Sequence, residues 1–284
     1  MTDTLTFSIP SVTSKDPHEI ILHQASDADE DQGLSETNTG FVMWPSAVML
    51  SHHIARNPSI VLGDDDTPDG DVMELGAGCG LVGFTAATLL QHAQEDNEDK
   101  VIFTDYNPAV LENLQKNIDL NDFNVDHEVL GLDWFDQEEH LQIQQQQQRV
   151  ETNATWVDVD GKEHAQVRLI LGADLLVCSN DADLVASTID CALVDGGKAF
   201  ILGPDSSKRF GVMNFPDACE SLGLEVTVYE DMLDSFIATG EDDSEVQQQQ
   251  LIDELELGGY NQRSATMAHD FTMFQITKPI ANTV

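Results

Sequence analysis

The sequence predicts an α/β protein built on a doubly wound, mainly parallel sheet of seven strands. From Asp71 onward, short apolar strands alternate with helical segments of about 10–15 residues. A glycine-rich turn joins the first of these strands to the first helix. Hydrophobic residues make up 41% of the 284 residues, which is enough to bury a core. Such alternation is typical of parallel sheets whose helices cover both faces.

The chain ahead of Asp71 is predicted to be less regular. Residues 1–38 are polar and acidic, and we expect a poorly ordered segment with one or two strands. A helix is predicted to begin near Pro45, because proline suits the first helical turn and apolar residues follow at helical spacing. The acidic stretch LGDDDTPDGD, residues 62–71, predicts a loop.

Seven strands are predicted after this loop. Their sequences are DVMEL (71–75), KVIFTD (100–105), HEVLGLDW (127–134), VRLILGAD (167–174), GGKAFILGP (196–204), LEVTVYE (224–230) and HDFTMFQI (269–276). The helices between them are LVGFTAATLLQ (81–91), NPAVLENLQKNIDLN (107–121), DADLVASTIDCALV (181–194) and FPDACESLG (215–223). Two segments near 136–166 and 231–268 contain glutamine runs, and we interpret them as solvated insertions, the first with a hairpin at TWVDVDGKEH.

The charge of the chain limits its partners. Lys and Arg number 12 against 52 Asp and Glu, so the net charge is −40. This charge argues against nucleic acid, which requires clustered basic residues, and against anionic lipid. It favours a cationic partner or simply high solubility. No apolar run is long enough to span a bilayer and no secretory signal is visible, so we expect a cytoplasmic protein with the nucleus left open. The four widely spaced cysteines predict buried, reduced thiols.

The strongest functional signal is VMELGAGCGLVG, residues 72–83, between a predicted strand and a predicted helix. Gly76, Gly78 and Gly80 allow a tight turn and let a ligand approach without obstruction by a Cβ atom. The following helix offers free N–H groups and the positive end of its dipole. Glu74 is unusual in an apolar strand, because a buried carboxylate is costly unless a polar or cationic group meets it. The segment therefore predicts a ligand-binding turn.

Two classes of ligand are compatible with this turn. Gly78, Gly80 and Gly83 match the G-x-G-x-x-G fingerprint of dinucleotide-binding proteins, and Asp105 follows about 20 residues later. ELGAGCG equally matches the E/D-x-G-x-G-x-G turn of S-adenosylmethionine-dependent methyltransferases. Asp105 would bind ribose hydroxyls in either case and does not discriminate. Glu74 favours the second class, since an acid here suits an ammonium and a sulfonium and would repel a pyrophosphate.

Five motifs in order extend this match: WPSAVMLSHHI, ELGAGCGLVG, TDYNPAVLENLQKNI, LDW after the third strand and LILGAD in the fourth. With them the chain resembles the seven-β-strand protein-lysine methyltransferases of the methyltransferase-like class, over roughly residues 40–230. The resemblance implies a Rossmann-like fold with an antiparallel last strand and S-adenosylmethionine as the cofactor. It also implies that residues 39–284 form the methyltransferase domain, with the two insertions inside it.

The turn and the resemblance together give the candidate site residues. The predicted cofactor-binding residues are Trp44, Glu74, Gly76, Ala77, Gly78, Gly80, Asp105, Asp133, Trp134 and Ala173. Asp174 matches the acid that opens the family's D-x-x-Y element, which makes it the candidate catalytic residue beside the acceptor nitrogen. Val177 stands where that element has tyrosine, and this departure weakens the lysine-specific interpretation.

The predicted activity is transfer of a methyl group from S-adenosylmethionine to a lysine nitrogen of a basic protein substrate. Three alternatives stay open: a methyltransferase for a different acceptor, a non-catalytic S-adenosylmethionine-binding interaction protein and, remotely, an NAD(P)-dependent oxidoreductase. The last lacks support because the chain contains no Tyr-x₃-Lys pair. No spacing of His, Cys, Asp or Glu predicts a metal site. The oligomeric state and the acceptor are left open.

Overall fold

The structure is a computed structural model that describes residues 3–10, 17–24, 36–64, 66–92, 99–137, 155–204, 210–232 and 271–280. Its strands are β1 (Asp3–Ile9), β2 (His18–Gln24), β3 (Val72–Leu75), β4 (Val101–Asp105), β5 (His127–Gly131), β6 (Thr155–Val157), β7 (Glu163–Ala165), β8 (Val167–Ala173), β9 (Leu193–Pro204), β10 (Glu225–Tyr229) and β11 (Phe271–Thr277). Its α-helices are α1 (Pro45–Arg56), α2 (Ser59–Leu62), α3 (Leu81–Gln91), α4 (Pro108–Leu120), α5 (Ser179–Ala192) and α6 (Phe210–Ser221), and a 3-10 helix covers Glu36–Phe41.

Seven strands form the central sheet, in the order β10-β11-β9-β8-β3-β4-β5. The five strands from β9 to β5 are parallel, whereas β11 runs antiparallel to both of its neighbours. All seven predicted strands and the antiparallel last strand are therefore confirmed. The parallel order brings the carboxyl ends of β3, β4, β5 and β8 to one edge, where ligands bind in doubly wound sheets.

Helices cover both faces of this sheet. One apolar core lies between the sheet and helices α1, α3 and α4, and it includes Met49, Phe84 and Leu114. A second core lies between the opposite face and helices α5 and α6, and it includes Ile189 and Phe215. The helix predicted near Pro45 begins at that residue. Within the described ranges no helix is long and apolar enough to cross a membrane.

The N-terminal segment contains the strands that its sequence predicts. β1 and β2 pair as an antiparallel hairpin over their full lengths. Alternate residues bury apolar side chains in the first core, namely Phe7, Ile9, Ile20 and Leu22. The expected strands are present, and burial of their apolar face stabilises the hairpin.

The end of the first insertion also packs against the core, contrary to a purely solvated segment. β6 and β7 form the predicted hairpin. Trp156 is fully buried, and its indole N–H donates to the carbonyl oxygen of Ala165 over 2.8 Å. The glutamine runs at 144–148 and 247–250 lie outside the described residues. Three cysteines are buried as predicted, but Cys178 is exposed where the loop after β8 meets α5.

Candidate functional site

The glycine-rich turn lies between β3 and α3 at the carboxyl edge of the sheet. Gly76, Gly78 and Gly80 all have left-handed backbones, with φ values of 57°, 53° and 91°. L-residues with a Cβ atom rarely adopt this conformation, which explains the three alternating glycines. The N–H of Ala77 donates to the carbonyl of Thr104 over 2.8 Å and so ties the turn to β4. The sequence fingerprint therefore corresponds to a tight turn that rests on the neighbouring strand.

Asp105 is the residue that fixes this turn from the side of β4. Its Oδ2 accepts the backbone N–H of Gly78 over 3.2 Å, and its Oδ1 accepts the N–H of Asn107 over 3.0 Å. The side chain is almost fully buried at the end of β4. Burial raises the pKa of the Asp105 carboxyl above its ordinary value, although the backbone N–H groups act in the opposite direction. Asp105 thus lies where the resemblance requires the ribose-binding acid.

Glu74 has a different environment from the one predicted. Its carboxylate is buried beneath the turn, and Oε2 accepts the backbone N–H of Gly83 in the first turn of α3 over 2.9 Å. Burial raises the pKa of this carboxyl to about 8, against the opposing effect of the Gly83 and Val82 N–H groups. The polar partner that a buried acid requires therefore comes from the protein itself. This geometry supports a structural role under the turn, and it gives no support to direct contact with a cofactor ammonium.

The three glycines of the turn also differ in what surrounds them. A Cβ atom at Gly80 would lie 2.5 Å from Leu114 and 2.8 Å from Phe84, so Gly80 faces the core. A Cβ atom at Gly78 would lie 3.2 Å from the carbonyl oxygen of Gly40. Gly76 and Gly78 retain partial exposure, whereas Gly80 is buried. The missing Cβ atom of Gly80 therefore leaves room for core side chains, and the contact of Gly80 with a cofactor remains a prediction.

Trp134 lies beside Gly76, as the prediction of an adenine-stacking residue after the third strand requires. A Cβ atom at Gly76 would be 3.6 Å from Cζ2 of the Trp134 ring and 2.8 Å from Leu175. The Trp134 side chain is half-buried. Asp133 precedes it, and its Oδ1 accepts the N–H of Phe135 over 3.0 Å, which caps the short helical turn that follows. The ring of Trp134 and the turn therefore border the same space.

Trp44 lies at the end of a short segment, residues 39–44, that contacts the glycine turn through Gly40. It is half-buried directly before α1, and its indole N–H donates to the carbonyl of Thr39 over 3.0 Å. The same segment contains Gly40, whose carbonyl oxygen accepts a weak hydrogen bond from the Cys79 thiol at 3.7 Å. The structure thus places Trp44 in the segment that contacts the glycine turn. Its role as a pocket residue remains a prediction.

The end of β8 presents Ala173 and Asp174 at the same edge of the sheet. Ala173 pairs with Leu202 of β9, and the N–H of Asp174 donates to the carbonyl of Leu202 over 2.8 Å. Asp174 has φ 58°, a left-handed conformation that only Asp174 and Asp231 adopt among the described non-glycine residues. Unusual backbone of this kind is concentrated at functional sites. Val177, three residues on, exposes 47% of its surface.

Comparison with known proteins bears directly on this site. Residues 27–150 match the model of the family described as lysine methyltransferase. Over this range the chain is related to the lysine methyltransferases. The matched range is less than half of the chain, and it contains the glycine turn, Asp105 and Trp134 but ends before Asp174.

Individual lysine methyltransferases show the same relationship. The chain is 30% identical over 122 residues to the protein-lysine N-methyltransferase EFM2 of Saccharomyces cerevisiae, covering 40% of this chain and 27% of that protein. It is 35% identical over 104 residues to the protein-lysine methyltransferase METTL21E of Bos taurus, covering 37% of this chain and 28% of that protein. The matches thus span between a quarter and a third of the length of these two relatives.

Among solved structures, a TehB-like SAM-dependent methyltransferase from Corynebacterium glutamicum aligns with a TM-score of 0.42 at 13% identity. This alignment covers 88% of this chain and 95% of that one.

The sequence analysis did not identify three residues that surround the glycine turn. Gly40 and Leu175 contact the glycines from two sides, and Asn117 of α4 donates from Nδ2 to the carbonyl of Cys79 over 3.0 Å. Asn117 could have been identified from the sequence, because an asparagine on the apolar face of an amphipathic helix requires polar partners in the core. Gly40 and Leu175 could not have been identified in this way, since their importance depends on contacts with residues distant in sequence.

Proposed function

We propose that this protein is an S-adenosylmethionine-dependent methyltransferase whose acceptor is the Nζ atom of a lysine in a protein substrate. The observation that carries the proposal is the contact between Asp105 and Gly78. It joins an acid at the end of β4 to a tight glycine turn at the end of β3, within the range that matches the lysine methyltransferase family. A tight glycine turn and an acid for ribose hydroxyls are two features that this cofactor requires of the protein.

The residues around the turn fit the proposed cofactor. Gly76 and Gly78 permit the left-handed backbone of the turn, and both retain partial exposure through which a ligand can approach that backbone. In this proposal the Asp105 carboxylate accepts hydrogen bonds from the ribose hydroxyls. The Trp134 ring borders Gly76 and offers an apolar face to adenine, a contact typically worth about 1–3 kcal/mol per base. S-Adenosylmethionine, when bound, supplies an activated methyl group, so the protein mainly aligns the acceptor and excludes water.

Asp174 is the residue proposed to orient the acceptor amine. It lies at the carboxyl end of β8, adjacent to β3 in the sheet. A lysine side chain has a reference pKa near 10.4, so neutralising its amine at pH 7.4 costs about 4 kcal/mol. Partial burial of the amine next to a positive charge lowers this cost. The Asp174 carboxylate would accept a hydrogen bond from the amine and so direct the nitrogen lone pair towards the methyl group.

The charge of the chain supports a basic protein as the substrate. A net charge of −40 attracts positively charged partners and accelerates their encounter at low ionic strength. The rate of methylation should therefore fall as salt concentration rises, more steeply than binding of the small cofactor. Initial rates between 50 and about 300 mM salt would measure this dependence.

The direct experiment incubates the purified chain with tritiated S-adenosylmethionine and cell lysate, followed by mass-spectrometric mapping of the modified residue. The matched variant is Asp174→Asn, because asparagine tolerates the left-handed backbone at this position. We expect labelled lysine with the wild-type protein and at least about 100-fold less label with the variant. Labelling of equal rate by both proteins would contradict the role of Asp174, and no labelled protein at all would contradict the proposed activity.

A different acceptor is the second candidate function, and the exposure of Val177 favours it. Val177 lies three residues after Asp174, where the related family has a tyrosine, and it leaves an aliphatic surface open to solvent. An acceptor other than lysine could use this space. The same mapping experiment decides between the two, because it identifies the modified atom directly.

A further inference from the structure

Two asparagines of α4 and the C-cap residue that follows the helix bind the edge of strand β2 in the N-terminal hairpin. Asn113 and Asn117 lie on the helix and Asn121 caps its C-terminus, and their spacing of four residues places all three side chains against β2. Asn121 binds both backbone groups of Ile21, accepting the N–H over 2.9 Å and donating to the carbonyl over 2.7 Å. Asn117 binds those of His23 in the same way, over 2.7 and 3.3 Å, and Asn113 donates to the His23 carbonyl over 3.1 Å. The side-chain amides thus pair with the backbone N–H and C=O groups of β2 that an adjacent strand would otherwise bind.

Asn117 makes one contact that neither Asn113 nor Asn121 makes. Its Nδ2 also donates to the carbonyl oxygen of Cys79 over 3.0 Å, inside the glycine turn. The Asn117 side chain is fully buried. The Cys79 carbonyl precedes Gly80, the N-cap residue of α3, and so lies outside the helical hydrogen-bond ladder. One buried amide therefore connects the N-terminal hairpin to the turn that carries Gly78.

We infer that Asn117 is a positioning residue for the cofactor turn and that the β1–β2 hairpin is part of the cofactor-binding unit. Without the amide donor the buried Cys79 carbonyl would have to reorient to find a partner. Reorientation would move Gly78, whose N–H is held by Asp105. The inference rests on the proposed function, because cofactor affinity is its readout. Thermodynamic linkage is reciprocal. If the contact between the hairpin and α4 strengthens cofactor binding, a bound cofactor must stabilise that contact.

The test compares Asn117→Asp with Asn121→Asp in the full chain. Each carboxylate can still accept the strand N–H but can no longer donate to the strand carbonyl. Both variants therefore weaken the attachment of the hairpin, and only Asn117→Asp removes the donor to Cys79. We expect both variants to lower the thermal midpoint, and Asn117→Asp to lower it more, because the Asn117 side chain is fully buried and that of Asn121 only partly so. We also expect affinity for S-adenosylhomocysteine, measured by calorimetry, to fall about tenfold for Asn117→Asp and less than about twofold for Asn121→Asp.

Equal affinities for both variants, whether unchanged or equally reduced, would overturn the inference. Failure of the wild-type chain to bind S-adenosylhomocysteine would instead contradict the proposed function, so the two failures are distinguishable. Hydrogen exchange of the wild-type protein gives a second readout if a variant does not fold. S-Adenosylhomocysteine is expected to slow exchange of the His23 amide more than that of the Val226 amide on the distant strand β10. Equal slowing at both amides would also overturn the inference.

Discussion

The carboxylate of Asp105 accepts the backbone N–H of Gly78 over 3.2 Å, across two neighbouring parallel strands. This hydrogen bond joins the end of β4 to the turn that follows β3. The second carboxylate oxygen accepts the N–H of Asn107, just before α4 begins. One buried side chain therefore connects the glycine turn to the start of α4.

The first prediction concerns the loss of this carboxylate. In Asp105→Asn an NH2 group replaces one oxygen, so one of the two backbone N–H groups loses its acceptor. We expect the free energy of unfolding to fall by about 1–3 kcal/mol. We also expect S-adenosylhomocysteine to lose most of its stabilising effect in thermal unfolding. The exposed Asp119→Asn on α4 is the matched control and should change neither quantity. A variant that is stabilised by the ligand as strongly as the wild type would contradict the role of Asp105.

The second prediction uses the raised pKa of Glu74. The pKa is about 8 in the folded protein, against an ordinary value of 4.5. Between these two pH values the unfolded chain releases a proton that the folded chain retains. The free energy of unfolding therefore falls as pH rises through this window. Glu74→Gln keeps an acceptor for the Gly83 N–H and removes the titration.

We expect the stability advantage of Glu74→Gln over the wild type to grow from pH 5 to pH 8, by on the order of a few kcal/mol. Urea unfolding of both proteins across this range measures it. Parallel stability curves for the two proteins would show that Glu74 titrates normally and that burial does not raise its pKa.

The third prediction distinguishes the effect of backbone strain from the effect of a Cβ atom at the candidate cofactor site. Gly78→Ala introduces a Cβ atom at φ 53° and 3.2 Å from the Gly40 carbonyl oxygen. Gly161→Ala introduces one at φ 75° in the β6–β7 turn, where nothing lies within 4 Å. Both substitutions carry the strain of a left-handed backbone, about 1–2 kcal/mol. Only Gly78→Ala should also weaken S-adenosylhomocysteine binding, and calorimetry should show this difference. Equal binding by the two variants would remove Gly78 from the site.

The fourth prediction tests the aromatic side of the site. Trp134 is half-buried beside Gly76, whereas the adjacent Phe135 exposes 65% of its surface. Trp134→Ala should weaken S-adenosylhomocysteine binding by about tenfold or more, because a stacking face for adenine is lost. Phe135→Ala is the control and should bind normally. Fluorescence titration or calorimetry would detect the difference, and normal binding by Trp134→Ala would place adenine elsewhere.

The central sheet could be predicted because its signals are local. Each strand is a short apolar run, and Pro45 and Pro108 each begin a helix as their position in the pattern predicts. The turn and Asp105 were also predictable, since glycines after one strand and an acid after the next must meet when the two strands are parallel neighbours. These predictions needed no knowledge of contacts distant in sequence.

The remaining features depend on such contacts. The alternating pattern of β1 and β2 is only seven residues long in each strand, and its apolar face becomes decisive once α4 lies against it. Glu74 is a predicted cofactor-binding residue, and the structure adds a hydrogen bond to its carboxylate from the backbone of Gly83, nine residues later. Gly80 is another, and the structure shows that its missing Cβ atom leaves room for Leu114. In each case the partner comes from another part of the fold, and the local sequence pattern does not reveal it.

The central claim is that the turn from Gly76 to Gly80 and the adjoining Asp105 bind S-adenosylmethionine. Isothermal titration of the full chain with S-adenosylhomocysteine, and separately with NADH, tests it most directly. The account predicts one site per chain for S-adenosylhomocysteine, with about tenfold or greater loss of affinity in Asp105→Asn, and no binding of NADH. Binding of NADH alone, or equal binding of S-adenosylhomocysteine by wild type and Asp105→Asn, would contradict it.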